Sequence, residues 1–204
     1  VISSIPSILS ILISEIIKLN FFFFISFCAA KPLSAKSQLK PNISKKVVKI
    51  PYHGKRLNAG CDWYKTRAWP RIYFSALIVE ISHHVPPGWF KNSLFKLIGA
   101  NIGKDVCIPN DVSIDHLFPD LITLEDGVLI GSGAYIGAHE FTVNQSIIGR
   151  IKIKKKALIG ARTIIRAGTT IGENSIIGGF SFVNKDIPDN EFWGGVPAKF
   201  IKKL

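Results

Sequence analysis

The stretch IKIKKKALIGARTIIRAGTTIGENSIIGGFSFVNKDIP, residues 151–188, decides the fold. Read in steps of six, it places aliphatic side chains in one register, and a small residue follows four positions after each of the first five. The aliphatic register is Ile153, Ile159, Ile165, Ile171, Ile177 and Val183, and the small residues are Ala157, Thr163, Thr169, Ser175 and Ser181. A period of six matches neither an α-helix nor a single strand. It predicts a three-sided coil in which each short flat face directs one aliphatic side chain inward.

The same register extends upstream, with two interruptions. It occupies six more positions, namely Ile102, Ile108, Ile114, Leu124, Ile130 and Ile136. Ten residues instead of six separate Ile114 from Leu124, and seventeen separate Ile136 from Ile153. An ordinary parallel sheet would need helical crossovers, and no helical pattern lies between these positions. The sequence therefore predicts an all-β fold, a parallel β-helix of hexapeptide repeats over residues 100–188, preceded by N-terminal helices.

Residues 1–30 are strongly apolar. The stretch from Ile8 to Phe27 has the length of a membrane-spanning helix, although a glutamate, a lysine and an asparagine interrupt it. The small residues after it resemble a signal-peptide cleavage site, but no basic segment precedes the apolar run. A soluble or interfacial helix is the third alternative. We expect a membrane anchor or a targeting segment.

The formal net charge of +12 comes largely from residues 31–60, which hold eight lysines and arginines and no acidic residue. Prolines and serines there favour an extended basic linker, which we assign to residues 31–71. A basic segment after an apolar helix is retained on the cytoplasmic side and attracted to anionic lipid. The segment lacks interleaved aromatic residues, zinc-ligand spacing and a helix-turn-helix pattern, so we expect no nucleic-acid partner.

The three cysteines, Cys28, Cys61 and Cys107, are widely spaced and odd in number, which predicts reduced thiols. Together with the basic segment, they indicate a location at the cytoplasmic face of a membrane or in the cytoplasm.

Two short helices are expected before the coil, over residues 72–99. The apolar run from Ile72 to Val85 is too short to span a membrane, and Pro86-Pro87-Gly88 ends it. A second, amphipathic run ends at Gly99. We expect these helices to close the open end of the coil.

The two interruptions of the repeat are the expected places for function, because the regular faces carry few reactive groups. The second interruption, AHEFTVNQSIIGR, holds His139 and Glu140. Histidine can take and return a proton near neutral pH, so His139 is the best candidate for a general base. Either Glu140 or Asp115, which lies in the first interruption, could orient its imidazole. His139 and Glu140 are thus the candidate catalytic residues.

Three segments within residues 86–204 resemble the left-handed parallel β-helix acyltransferases, the hexapeptide-repeat family that includes galactoside, maltose and xenobiotic O-acetyltransferases. IGSGAYIGAHEF resembles the segment that ends in the catalytic histidine, matched here by His139. LIGARTIIRAGTTIGENSIIGGFSFVNKDIP resembles the coils along which acetyl-CoA lies. GGVPAKFIKKL resembles the closing segment, whose basic residues meet the cofactor's phosphates. The left hand is implied by this resemblance, since periodicity does not determine it.

The resemblance implies a CoA-dependent O- or N-acetyltransferase. It would move an acetyl group from acetyl-CoA to a hydroxyl or amino group of a small-molecule or glycan acceptor, in a homotrimer with the site between subunits. The positions that match the family's cofactor contacts are Gly160, Ala161, Gly178, Gly179, Asn184, Lys199 and Lys202. The last two belong to a cofactor-binding tail over residues 189–204. Arg166 and Phe180 depart from the family pattern, which usually has smaller residues there.

Two other functions share this kind of coil. A γ-type carbonic anhydrase needs three histidines, two of them closely spaced, whereas the coil holds only His116 and His139. We therefore expect no metal site. A non-catalytic, membrane-associated scaffold is the remaining alternative, and replacing His139 would leave a scaffold unaffected.

Overall fold

Three sheets form the three faces of a β-helix in the computed structural model, which describes residues 46–204, and their strands are parallel except for the last strand of the second sheet. The expected anchor or targeting segment over residues 1–30 and the start of the basic segment lie outside the described residues. The first face contains β2 (Asn101–Ile102), β4 (Ile122–Leu124), β9 (Ile151–Ile153) and β12 (Thr170–Ile171). The second contains β5 (Leu129–Ile130), β10 (Leu158–Ile159), β13 (Ile176–Ile177), β15 (Glu191–Gly194) and β16 (Lys199–Lys203). The third contains β3 (Ser113–Ile114), β6 (Tyr135–Ile136), β11 (Ile164–Ile165) and β14 (Phe182–Val183).

The strand pairing confirms the hexapeptide register and the two interruptions. In the regular part of the coil Leu158 pairs with Ile176, three hexads further along the chain. Across the first interruption Ser113 pairs with Tyr135, and across the second Tyr135 pairs with Ile164. Both of these spacings exceed three hexads, because each interruption inserts extra chain at a corner. The interruptions therefore lengthen two turns without disturbing the stacking of the strands.

Side chains on each strand alternate between the interior and the outside of the coil. All twelve residues of the predicted aliphatic register are buried, and they form one continuous core. The outward positions are Asn101, Thr123, Lys152 and Thr170 on the first face, Leu129, Leu158, Ile176 and Phe192 on the second, and Ser113, Tyr135, Ile164 and Phe182 on the third. The first face is thus polar on its outside, whereas the second and third are largely apolar.

The chain turns between faces at three corners. The first, second and third corners follow the first, second and third faces, respectively. The third residue after each aliphatic position often has positive φ, as at Arg162 (φ 55), Asn174 (φ 54) and Phe180 (φ 54). Glycine and asparagine adopt this conformation readily. Phe180 does so at a cost, because a bulky side chain is disfavoured there.

Two helices lie at the end of the coil, before its first strand. They are α1 (Trp69–His83), which begins three residues before the predicted start, and α2 (Trp89–Leu97). Phe95 of α2 is fully buried on the first turn. Asn92 Nδ2 donates to Val106 O at 2.8 Å, and Lys91 Nζ donates to Pro109 O at 2.6 Å. Among the described residues, no helix is both long and apolar enough to cross a membrane.

The buried Lys91 makes the stability of the protein depend on pH. Burial lowers the pKa of Lys91 to about 8, although the negative charge of Asp111 partly opposes this. A lysine in the unfolded chain has a pKa of about 10.4, so the unfolded chain binds more protons between these values. The free energy of unfolding should therefore rise from about pH 8 to about pH 10.4, relative to a Lys91→Met variant. Urea unfolding of both proteins across this range measures the difference, and parallel curves would contradict the burial of a titrating Lys91.

The basic segment is not an extended linker in its described part. Residues 46–71 contain β1 (Val47–Pro51), a 3-10 helix (Ala59–Lys65) and the start of α1. β1 pairs antiparallel with β8 (Gln145–Gly149), which pairs antiparallel with β7 (His139–Phe141). The sequence VVKI is rich in β-branched residues, and their strand preference prevails over the neighbouring prolines because β8 offers a paired edge.

The β7–β8 hairpin is the second interruption of the repeat. It leaves the coil at the third corner and carries β1 as its outer strand. Arg150 N donates to Lys46 O, and the Lys46 ammonium forms an ion pair with Asp186. These contacts hold the segment that precedes the coil along the third corner, next to the hairpin that carries His139.

Candidate functional site

A histidine and an aspartate from the two interruptions meet at the third corner. His139 Nδ1 lies 2.5 Å from Asp115 Oδ2. Asp115 directly follows β3, and His139 begins β7 after the next turn of the coil. Stacking of successive turns therefore brings together two side chains 24 residues apart. An ionised carboxylate only accepts hydrogen bonds, so Nδ1 carries the proton and Nε2 is left as the basic atom.

Both carboxylate oxygens of Asp115 accept hydrogen bonds. The side chain is buried, and its Oδ1 accepts hydrogen bonds from Leu117 N at 2.9 Å and Phe118 N at 3.0 Å. Burial raises the pKa of Asp115, but the hydrogen bond and charge of His139, with the two backbone donors, outweigh it and lower the pKa. Asp115 is therefore ionised at neutral pH and held in one orientation.

Aromatic rings surround the imidazole of His139. Its ring centroid lies 4.9 Å from that of Phe141, 5.8 Å from Phe118 and 6.5 Å from His116. The pKa of His116 is lowered, chiefly by burial and secondarily by the charge of His139, while Asp115 opposes the shift. His116 is thus favoured in its neutral form beside the pair.

Glu140 does not contact the imidazole of His139. Its Oε1 accepts a hydrogen bond of 2.6 Å from Arg166 Nε, on the following turn of the coil. Glu140 raises the pKa of Arg166, while burial opposes the increase. Of the two carboxylates considered from the sequence, the structure thus brings Asp115 to the ring and uses Glu140 to tie β7 to the coil. Arg166, which departs from the family pattern, is the ion-pair partner of Glu140.

The loop of the first interruption is held by the chain before the coil. Arg67 Nη2 donates to both oxygens of Asp120, at 2.9 and 3.0 Å, and its guanidinium lies 4.8 Å from the ring centroid of Phe118. Arg71 also contacts Asp120, at 3.2 Å. Residues outside the repeat therefore support the loop that contains Asp115.

A cleft of about 230 Å³ runs along the third corner, below the hairpin. It is lined by Val47, Lys49, Ile147, Arg166, Ala167, Gly168, Thr169, Asn184 and Lys185. Asn184, predicted to contact the cofactor, therefore lies on the same corner of the chain as His139. The cleft combines an apolar wall from β1 and β8 with cationic side chains and exposed backbone of the coil.

The other predicted cofactor positions lie elsewhere in the single chain. Gly160, Ala161, Gly178 and Gly179 occupy the second corner, where consecutive turns approach very closely. A Cβ on Gly160 would lie 2.3 Å from Gly179 N, so only glycine allows this approach. A Cβ on Gly178 would find its nearest atom at 3.5 Å, an ordinary contact. Gly160 is thus required by the stacking itself.

Lys199 and Lys202 lie on β16, which pairs antiparallel with β15, and both are exposed. The turn between these strands packs against the last coil: Phe182 N donates to Gly195 O and Ala198 N donates to Phe182 O. The closing segment is therefore ordered, and it presents its lysines at the end of the coil opposite the helices.

The sequence alone missed two parts of this site. The strand β1, whose β-branched residues were a signal, covers the third corner. The Glu140–Arg166 ion pair had no sequence signal, because its partners lie 26 residues apart. Within residues 46–204, no three His, Cys, Asp or Glu side chains form a group that could hold a metal ion.

The stacked hexads, with His139 on an inserted hairpin and Asp115 after the preceding turn, define the class of protein, a hexapeptide-repeat transferase. The family model described as bacterial transferase hexapeptide (six repeats) matches residues 150–185. YvoF of Bacillus subtilis, named as an acetyltransferase, is 30% identical over 139 residues, which cover 68% of this chain and 81% of YvoF. SAR0816 of Staphylococcus aureus, also named as an acetyltransferase, is 32% identical over 78% of this chain and 98% of its own length. The chain belongs to the hexapeptide-repeat acetyltransferase family.

Three further comparisons agree with this assignment. Galactoside O-acetyltransferase of Escherichia coli is 36% identical over 57% of this chain and 61% of that enzyme. The hexapeptide-repeat acetyltransferase VCA0836 of Vibrio cholerae, solved with acetyl-CoA, matches with a TM-score of 0.56 and 21% identity, over 67% of this chain and 88% of the other. A galactoside acetyltransferase solved with coenzyme A matches with a TM-score of 0.51 and 22% identity, over 66% and 80% of the two chains. These two structures support the architecture.

Proposed function

We propose that the protein transfers an acetyl group from acetyl-CoA to a hydroxyl or amino group of an acceptor, with His139 as general base. The observation that carries this proposal is the contact between His139 and the buried, ionised Asp115. A scaffold has no need for a buried carboxylate aimed at an imidazole. Family membership supports the same reaction class.

The side chains of this site have defined tasks in the proposed reaction. His139 Nε2 takes the proton of the acceptor as the acceptor oxygen or nitrogen attacks the acyl carbon. Asp115 holds the ring in the tautomer that leaves Nε2 free and stabilises the positive charge that the ring acquires. When bound, acetyl-CoA supplies the thioester whose carbon–sulfur bond breaks as the acetyl group is transferred. His139 Nε2 then returns its proton to the departing thiolate. The aromatic rings around His139 exclude water from part of the site.

The chain offers groups that suit coenzyme A. Asn184 and Lys185 line the cleft at the third corner, and Lys199 and Lys202 provide exposed positive charge for phosphates. Ala161 and Gly179 at the second corner leave backbone accessible to an extended pantetheine arm. The two corners do not face each other within one coil. We infer that a second subunit brings its second corner or its tail to the third corner of the first.

The outward side chains support a homotrimer of this kind. The second and third faces carry apolar ladders, and Leu129, Tyr135 and Ile164 are exposed in the single chain. A three-sided coil that buries two faces against two neighbours closes a ring of three, with the polar first face outside. This arrangement would cover the exposed apolar residues and place three sites between subunits.

We further propose the left hand for the coil and a sugar or glycan precursor as the acceptor. Both rest on the family, whose members named above include a galactoside O-acetyltransferase. The free thiols of Cys61 and Cys107 support a reducing location such as the cytoplasm.

Calorimetric titration of the full chain with CoA and with acetyl-CoA tests the donor. We expect binding that weakens as salt is raised, because charge attracts the phosphates. Replacing Lys199 and Lys202 together by glutamine should weaken binding about tenfold or more, since each removes a charged hydrogen bond. The matched control is Lys104→Gln, an exposed lysine near the other end of the coil. Absence of binding by a folded trimer would contradict the proposal and favour the scaffold.

A further inference from the structure

The helices that close the coil expose an apolar surface that the proposed reaction does not use. This cap surface consists of Phe74, Leu77 and Ile81 on α1 and Trp89, Phe90 and Leu97 on α2. Trp89 is 80% exposed and Leu97 is 63% exposed. Phe74 and Leu97 line one depression of about 330 Å³, so the two helices contribute to a continuous surface. Single exposed apolar residues are common in proteins, but a continuous group indicates an interaction site.

α1 carries apolar residues on two different sides. Ile72, Ile78 and Val79 are buried, whereas Phe74, Leu77 and Ile81 recur at helical spacing on the exposed side. A surface helix normally buries one apolar side and turns polar residues towards solvent, so a second, exposed apolar side indicates a partner. The coil covers one side of α1, and a partner is needed for the other.

We propose that the cap surface docks on an anionic lipid surface and lies within its interface. The helices have 15 and 9 residues, too short to span a bilayer but suitable for lying in the plane of the headgroups. Trp89 and Phe90, at the start of α2, belong to the residue types that enter this region readily. The apolar residues would enter the headgroup and acyl boundary, and the coil would extend away from the membrane.

The charges around the cap surface favour an anionic membrane over a protein partner of mixed charge. Arg71 and Lys96 are exposed on the two helices, where Glu80 is the only acidic residue. Arg71 also borders the depression between Phe74 and Leu97. Arg71 shares the carboxylate of Asp120 with Arg67, so this neighbouring group also keeps a net positive charge. Basic groups near a membrane surface add attraction to anionic lipids.

The position of the cap surface is compatible with the proposed trimer. Only the simultaneous binding of several cap surfaces to one membrane depends on that trimer. The apolar ladders lie on the sides of the coil, whereas the cap surface lies at its end. Three coils with parallel axes would present three cap surfaces in the same direction. Simultaneous contact with one membrane would then strengthen binding beyond that of a single copy.

Vesicle co-sedimentation of the full chain tests the docking. We expect binding to vesicles of phosphatidylcholine with phosphatidylglycerol, and weaker binding to phosphatidylcholine alone or at high salt. Replacing Phe74 and Phe90 together by serine should lower the partition coefficient about tenfold or more, because two apolar side chains no longer leave water. The matched control is Leu57→Ser with Val143→Ser, which are 87% and 62% exposed outside the cap surface. No binding to either vesicle would overturn the proposal.

A second measurement separates the cap surface from the apolar stretch between Ile8 and Phe27, which could hold the chain on vesicles by itself. Vesicles containing brominated lipid should quench part of the tryptophan fluorescence, and Trp89→Phe should reduce this quenching, because Trp89 is the more exposed of the two tryptophans on the helices. Trp193→Phe, at the opposite end of the coil, should remove none of it. Co-sedimentation without quenching of Trp89 would overturn the proposal in favour of the N-terminal stretch. Lipid-free assembly beyond a trimer that Phe74→Ser with Phe90→Ser abolishes would instead assign the cap surface to a second copy of the chain.

Discussion

Replacing His139 by alanine is expected to lower kcat for acetyl transfer by about 10²- to 10⁴-fold, because the acceptor loses its general base. The dissociation constant for CoA should change little, since the imidazole is assigned to the acceptor side. Steady-state kinetics with a panel of sugar and amino-sugar acceptors, together with calorimetry of CoA binding, measure the two quantities. Unchanged turnover in His139→Ala would contradict the assignment of the base.

Two carboxylate variants provide the matched comparison. Asp115→Asn preserves the shape of the side chain but removes the charge that orients His139 Nδ1, so kcat should fall by about 10²-fold or more while KM for acetyl-CoA is retained. Glu140→Gln alters a carboxylate that contacts Arg166 instead of the imidazole, and its effect on kcat should be much smaller. The reverse order of effects would show that Glu140, the neighbour in sequence, is the orienting residue.

The second large effect concerns stability at the second corner. Gly160→Ala places a Cβ 2.3 Å from Gly179 N, where only backbone surrounds it and no flexible side chain can move away. The stacked turns must separate locally, and we expect a loss of about 3 kcal/mol in the free energy of unfolding, near the upper end for overpacked interiors. Denaturant unfolding of the full chain measures this loss.

Gly178→Ala is the control for this prediction. Both glycines were expected to touch the cofactor, but a Cβ at Gly178 meets its nearest atom only at 3.5 Å, and the stability should change by less than about 1 kcal/mol. Equal stability of the two variants would contradict the close stacking at Gly160. If Gly178→Ala weakens CoA binding while remaining stable, the cofactor assignment of this corner gains direct support.

The strand β1 shows that local sequence preference alone is insufficient to predict secondary structure in the basic segment. The residues after Pro41 look like a basic linker, yet Val47–Pro51 forms a strand because β8 provides a hydrogen-bonding edge. The inserted hairpin that supplies this edge is itself an interruption of the repeat, and it lies far along the chain from β1. Patterns within a short window cannot report such a distant pairing.

The sequence by itself determined the β-helix, because the hexad period is a local property that each turn repeats. All twelve positions of the aliphatic register are buried, so their spacing is enough to predict the coil and, where it departs from six, the two interruptions. It also indicated His139 as the candidate base, since a reactive residue at a break in a regular repeat is conspicuous. Only the tertiary structure decided that Asp115, and not the adjacent Glu140, contacts His139, because the stacking of β3 on β6 aligns the start of each inserted loop. Neighbouring residues on a strand point to opposite sides, so Glu140, which directly follows His139 on β7, is directed away from the imidazole.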